Sequence, residues 1–243
     1  MLLMAILLYV WATCVSVQPA APAKAPPADK EPVVVTPAPQ QEQPTPPPSD
    51  AIVLIDGTNL DQWQHADGKP ASWTAEGKKG GAITCKPGSG SILTKKKFGD
   101  AQIHVEFSTP TPPHGEGQER GNSGVYIQNR YEVQVLDSFE NKTYFNGQCA
   151  AVYLQHVPLV NVCRKPGEWQ TYDIVFHAPK FKADGSLDHA GSLTVLQNGV
   201  LVQDHVEIKE PTGGGDKGTG DGPLHLQDHG NLVRYRNVWV RPL

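Results

Sequence analysis

Residues 121–138 read GNSGVYIQNRYEVQVLDS and gather side chains suited to chemistry on a polyhydroxylated ligand. Two short runs alternate polar and apolar residues, the pattern of half-buried strands. Tyr126, Gln128 and Arg130 share one parity of the first run. Glu132 and Gln134 decorate the second, with Asp137 just beyond it. Planar amides, carboxylates and a phenol on one hairpin can hold several hydroxyls at once. The same alternation also fits an ordinary solvated sheet face. A second polar cluster, Gln227-Asp228-His229-Gly230, follows a short apolar run. A histidine beside a carboxylate has a set tautomer and raised basicity, which suits proton transfer. Those four residues equally fit a turn in which Asp228 caps backbone amides and His229 is exposed.

Strands must carry these groups. If Glu132 and Gln134 face a cleft, then Tyr131, Val133 and Val135 enter the core. In Gln102–Phe107 the residues Ile103, Val105 and Phe107 face one way, and His104 and Glu106 share the other parity, from which they could join the same polar face. Further short strands are expected at 83–85, 91–94, 172–176, 192–196, 201–206, 224–227 and 233–240. Asn198-Gly199 between two alternating runs is a strong hairpin signal. Residues 109–120, with several Pro and Gly, form a loop long enough to serve as a lid. Many short strands at regular spacing predict an all-β fold, a single jelly-roll β-sandwich.

Composition sets limits. From Pro19 to Pro48 the chain is mostly Pro, Ala, Gln, Thr and charged residues. Such a segment buries too little apolar surface to order itself and predicts an extended, disordered linker over 24–50. The domain is then 51–243. Residues 1–23 open on an apolar run of roughly a dozen residues, too short to span a bilayer comfortably and similar to an export signal. Cys14 offers a lipid attachment point as the alternative, and then the membrane would be met only through an anchor or an uncleaved signal. Either route places the domain outside the cytoplasm, periplasmic or secreted. Cys149 and Cys163 flank a loop and could close it as a disulfide; Cys85 reads as a small core residue.

The motifs are more specific together than singly. The chain carries Asn122-Ser123-Gly124, then Tyr131-Glu132-Val133-Gln134-Val135-Leu136-Asp137-Ser138, then KPGEW at 165–169, NGV at 198–200, GPLHLQDHG at 222–230 and YRNVWV at 235–240. With LIDGTNLDQW at 54–63, this order resembles the 3-keto-disaccharide hydrolase domain family across about residues 51–243. The resemblance implies a concanavalin-like sandwich whose concave sheet carries the site, and substrates already oxidised at C3 of a sugar. It implies Glu132 and His229, with Asp228, as the acid/base set. Asn122, Tyr126, Arg130, Gln134, Asp137, Gln227 and Glu106 are then expected to hold the sugar. The family's usual Asn after the tryptophan of KPGEW is Gln170 here, so that position is given no required role.

Other classes fit less well. A net charge of −4 argues against nucleic acid, and Lys95–Lys97 reads as a solvated strand end. The Gly-rich 212–221 stretch lacks the Lys-Ser/Thr ending of a phosphate loop. No cofactor is expected, though Glu, Asp and His on neighbouring strands could hold a divalent ion. Trp63, Trp73, Trp169 and Trp239 are expected in the core. The rival to an enzyme is a non-catalytic carbohydrate-binding sandwich tethered in the cell envelope. Oligomeric state is not legible.

Overall fold

The computed structural model describes residues 30–214 and 217–243. The expected export signal and Cys14 lie outside the described residues, and no helix among those described is long and apolar enough to cross a membrane.

In chain order the strands are β1 (Val33–Val34), β2 (Ile52–Ile55), β3 (Trp63–Gln64), β4 (Thr74–Ala75), β5 (Ile83–Thr84), β6 (Ile92–Phe98), β7 (Ala101–Ser108), β8 (Ser123–Ile127), β9 (Tyr131–Val135), β10 (Val160–Asn161), β11 (Gln170–His177), β12 (Lys180–Phe181), β13 (Leu187–His189), β14 (Ser192–Gln197), β15 (Val200–Glu207), β16 (Gly222–Leu226) and β17 (Arg234–Pro242). Two antiparallel sheets form the sandwich. One runs β3-β6-β16-β8-β9; the other runs β15-β14-β11-β7-β17-β5-β4, with β2 also on β17. Alternation explains the layering. Val125 and Ile127 of β8, Tyr131, Val133 and Val135 of β9, and Leu224 and Leu226 of β16 join one apolar core with Ile103, Val105 and Phe107 of β7.

Polar residues also cross that core. Tyr172 of β11 is fully buried, and its hydroxyl donates to the Gln134 carbonyl at 2.6 Å and accepts from the Ala150 N–H at 2.8 Å. Tyr235 of β17 donates to Ser123 Oγ at 2.7 Å, which donates to the Gln227 carbonyl at 2.6 Å. A buried hydroxyl needs a partner, so each phenol ties one sheet to a chosen point on the other.

The β14–β15 turn is as expected, with Asn198 and Gly199 both at positive φ. The β8–β9 turn was not read from the sequence. Gln128 (φ 56°) and Asn129 (φ 58°) form its two-residue tip, the backbone of a primed hairpin turn. That tip breaks the parity, so Gln128 and Arg130 leave the face that Tyr126 occupies.

One further expectation is corrected. Cys149 and Cys163 are free, buried thiols that approach one another as a hydrogen-bonded pair rather than a disulfide. Each sulfur also has another partner, Tyr172 Oη for Cys149 at 3.1 Å and Gln170 Nε2 for Cys163 at 3.5 Å. Cys85 is the expected core residue.

The Pro-rich segment is extended, yet residues 33–50 lie against the sandwich. β1 pairs with β10 in parallel. Arg164 Nη2 donates to the Ala38 carbonyl at 2.9 Å, the Trp169 N–H to Gln40 Oε1 at 2.7 Å, and Asn237 Nδ2 to the Thr45 carbonyl at 2.9 Å. A proline-rich chain lacks many donors of its own. Its free carbonyls suit the Arg and Asn side chains that the sheet ends present.

Two outcomes follow. Y235F and Y172F should each lose about 1–3 kcal/mol in urea melts, the cost of stranding buried partners; a loss within about 0.5 kcal/mol would mean the cross-core bonds are dispensable. A chain beginning at Ala51 should melt several degrees below the full chain, with loss of hydrogen-exchange protection at the Asn161 strand; equal melting would mean residues 33–50 only rest on the surface.

Candidate functional site

Register assembles the site. His225 of β16 lies opposite Tyr126 of β8, and Tyr126 lies opposite Glu132 of β9. On the other side His225 faces Leu93 of β6. One row along, Gly124 lies opposite Gln134, and the Gln227 N–H bonds the Gly124 carbonyl at 3.0 Å. Residues of one parity in neighbouring strands share a face. Tyr126, Glu132, Gln134, His225 and Gln227 therefore stand together on the outer face of the five-stranded sheet.

Glu132 dominates the electrostatics. It is 2% exposed, and burial pushes its carboxyl up to about 7, with a hydrogen bond from the Tyr126 phenol partly opposing the shift. Tyr126 also accepts from Gln227 Nε2 at 3.2 Å. A directed chain thus runs from the Gln227 amide through the phenol to the carboxylate. Gly124 makes room for it, because a Cβ there would collide with the Glu132 carboxylate and the Tyr126 ring. The glycine here serves a close approach inside a strand.

Two tyrosines border this pocket from loops. The Tyr144 and Tyr153 hydroxyls are 2.5 Å apart, and the Tyr153 N–H donates to the Glu132 carbonyl at 3.1 Å. Burial, the bond to Tyr153 and the nearby Glu132 charge raise the Tyr144 phenol, although its ring is 43% exposed. Three buried acceptors on this face have no partner: Gln134 Oε1, Gln227 Oε1 and His225 Nε2. Unpaired buried acceptors are costly in a finished core; His225, which lines a cleft, offers its acceptor to a ligand hydroxyl.

The open cleft is adjacent. It encloses about 800 Å³ and is lined by His65, Ser72, Ser89, Leu93, Asn129 and His225, among others. Glu132 is not on its wall and sits one strand further along the row, behind Tyr126. The His225 ring stacks on Tyr126 with centroids 4.6 Å apart.

The other expected residues serve elsewhere. His229 is exposed in the turn after β16, and no hydrogen bond or ion pair joins it to Glu132. Asp228 caps that turn: it accepts from the Gly90 N–H at 2.9 Å, the Gly230 N–H at 3.0 Å and the Cys85 thiol at 3.6 Å. Asn122 Nδ2 donates to the Gln118 carbonyl at 2.7 Å. Asp137 is paired with Arg120 at 2.7 Å. Arg130 Nη1 bonds Gln128 Oε1 and the Gly220 carbonyl.

Glu106 belongs to the opposite sheet, so its expected place beside Glu132 is corrected. There it holds Arg236 at 2.6 Å and Asn237 at 2.8 Å. Its neighbour His104 bonds Asp173 at 2.7 Å. Burial lowers the His104 pKa, but bonds to Asp173 and Glu106 outweigh it and raise it to about 9. Residues 38–45 cover this back face over a cavity of about 310 Å³. Trp169 is also there rather than in the core, with Arg236 at 4.2 Å and Arg234 at 5.2 Å from its ring centroid. Trp63 and Trp73 join the core as expected, whereas Trp239, though buried, lies outside the core cluster and stacks on His104 with centroids 5.2 Å apart.

Loop 109–120 is pinned rather than free. Gln118 Nε2 bonds Thr143 Oγ1 and the Gly147 carbonyl, and its Oε1 accepts from Gln134. Among the described residues no three His, Cys, Asp or Glu side chains converge as metal donors.

Residues 50–241 match the sequence profile of the 3-keto-alpha-glucoside-1,2-lyase-like domain. The chain belongs to that family. No curated protein matches the chain, but solved structures do. One, from Parabacteroides distasonis ATCC 8503 and provisionally named a glycosyl hydrolase, is 42% identical with a TM-score of 0.75, covering 84% of this chain and 94% of its own. A second from that organism is 20% identical with a TM-score of 0.55, over 80% and 94%. A third is 22% identical with a TM-score of 0.52, over 78% and 98%. The last two show the shared sandwich alone.

His225, Asn129, Tyr144, Tyr153 and Gln118 were not singled out in the sequence. His225 could have been, since it shares the parity of Gln227. The two tyrosines and Gln118 come from loops, where no periodicity exists to read.

The raised carboxyl gives a stability test. A folded pKa near 7 against 4.5 unfolded means the native state binds more protons between those values, so stability falls as pH rises through that window. E132Q removes this term. It should be more stable than the parent above pH 7, by up to about 3 kcal/mol, with the gap closing below pH 5. A gap independent of pH would place the carboxyl's pKa near its ordinary value.

Proposed function

We propose that this domain cleaves 3-keto-glycosides, with Glu132 as the base. What carries the reading is a desolvated carboxylate, raised to about 7 and bonded to a phenol, among buried acceptors with no protein partner. Family membership supports the substrate class, and the 42% identical glycosyl hydrolase relative supports action on glycosides.

A ketone at C3 acidifies the C2 hydrogen. Glu132 takes that proton, the C1–O bond breaks, and the electron pair left at C2 forms the C1–C2 double bond. The leaving oxygen needs a proton. Tyr126, hydrogen-bonded to Glu132, can give one and recover it from the newly protonated Glu132, which restores both groups. Water adding across the new double bond makes the net result hydrolysis; without it the result is elimination. His229, in the turn after β16, is the alternative donor. The free Oε1 atoms of Gln134 and Gln227 suit sugar hydroxyls, from which they accept, and the second Nε2–H of Gln227, left over beside its bond to Tyr126, suits a developing enolate. This differs from glycosidases in which two carboxylates flank an oxocarbenium-like centre. The apolar opening of the chain supports export, so we place the activity outside the cytoplasm.

The near absence of exposure at Glu132 favours a second reading, a sandwich that binds carbohydrate without cleaving it. Incubation with 3-keto-trehalose and methyl 3-keto-glucoside, with and without a chelator, separates the two. The enzyme reading expects product release that rises with pH through about 7, where Glu132 loses its proton. E132Q should lower kcat/KM by about 10²–10⁴. Y126F should approach that loss and H229A should not; the reverse order would move the donor role to His229. Binding without turnover at any pH would leave only the lectin-like reading.

A further inference from the structure

We propose that the cleft beside His225 is the subsite for the departing sugar ring, and that His225 Nε2 accepts a hydrogen bond from one of that ring's hydroxyls. This rests on the function proposed above. A keto ring placed with C2 toward Glu132 and Tyr126 directs whatever is attached at C1 along the sheet. On one side of Tyr126 stands Glu132 with its tyrosine border; on the other stands His225 and the open cleft.

The imidazole is prepared for this contact. Its Nδ1 lies 2.7 Å from Asn129 Oδ1. That oxygen can only accept, so the proton sits on Nδ1 and Nε2 is a lone pair. Nε2 is buried and has no protein partner, yet the residue lines the cleft. Burial holds the ring neutral, with a pKa lowered to about 4. A neutral imidazole fixed in one tautomer is a selective acceptor for O–H. Asn129 is placed for the task by the β8–β9 tip, where its positive φ turns the side chain toward β16. Ser89 Oγ, also on the cleft wall, is a second buried polar atom without a partner.

Size and charge define the occupant. About 800 Å³ admits a second pyranose ring with room for water. Leu93, opposite His225, offers an apolar patch for the C–H face of such a ring. Lys69 and Asp67, the charged pair on the cleft wall, neutralise each other at 2.6 Å. Neither sign is left over for a phosphate or a uronate, so the leaving group is a neutral polyhydroxylated ring.

The test compares two leaving groups. H225A should lower kcat/KM for 3-keto-trehalose by about tenfold or more, while methyl 3-keto-glucoside, which leaves the cleft empty, should change less than about twofold. N129G keeps the ring, suits the positive φ and frees Nδ1; it should show the same selectivity with a smaller loss. Equal losses on both substrates would overturn the assignment and put His225 at the reacting ring instead. No loss on either would also overturn it. Should the wild-type chain turn over neither substrate, the proposed chemistry falls separately. The subsite is then read by trehalose titration of histidine-labelled protein: a shift of the His225 Nε2 resonance, absent with methyl glucoside, upholds it, and no shift sinks it.

Discussion

Removing one carboxylate from water sets the character of the outer face of the five-stranded sheet. Glu132 lies in a strand whose alternate residues fill the core, so its own side chain must leave on the other side. There Gly124 leaves a gap, Tyr126 caps the carboxylate, and Tyr144 and Tyr153 border it from loops. Solvent would hold such a group near the ordinary carboxylate range; its absence raises the pKa to about 7. A group that titrates near neutrality can both take and return a proton. The stability lost by burying it is offset by the sandwich, which is a common feature of sites that hold reactive groups.

The sandwich serves this group through its polar crossings. An apolar core is non-directional and would tolerate small slips between sheets. Tyr172 and Tyr235 are directional. One fixes the carbonyl of Gln134, two residues along from Glu132, the other, through Ser123, that of Gln227, which bonds the Tyr126 phenol. The loop at 109–120 works the same way. Arg120 locks it to Asp137, so that Gln118 meets Gln134.

The opposite face shows what polar alternation does beneath a strap. His104, Glu106, Asp173 and Arg236 pair among themselves, save for His104 Nε2, and residues 38–45 lie across them over the smaller cavity. Opposite charges in close contact stabilise their ionised forms, as the raised His104 shows. Similar residue types therefore end in two states: self-paired beneath a strap on one sheet, and partly unpaired beside a cleft on the other.

Strand parity was legible because side chains alternate with a fixed period of two. It gave Tyr131, Val133 and Val135 to the core and Glu132 and Gln134 to the outer face. The Asn198-Gly199 hairpin was legible because positive φ selects those residues. Gln128 and Asn129 were opaque for the same reason, since Gln at such a tip is unusual. Glu106 and Glu132 look alike in sequence, and parity says nothing about which sheet a strand joins. Asp228 and His229 looked like a pair, but turn geometry sends the carboxylate to backbone amides and leaves the imidazole exposed.

Local periodicity and turn chemistry thus determine an all-β chain, the inward and outward residues of most strands, and the short list of groups able to move protons. Which of them meet was decided only in three dimensions. Strand order and register place His225, Tyr126 and Glu132 in one row, although 93 residues separate His225 from Glu132 in the chain. Contacts over that distance arise from sheet pairing and core packing, and no local pattern encodes them.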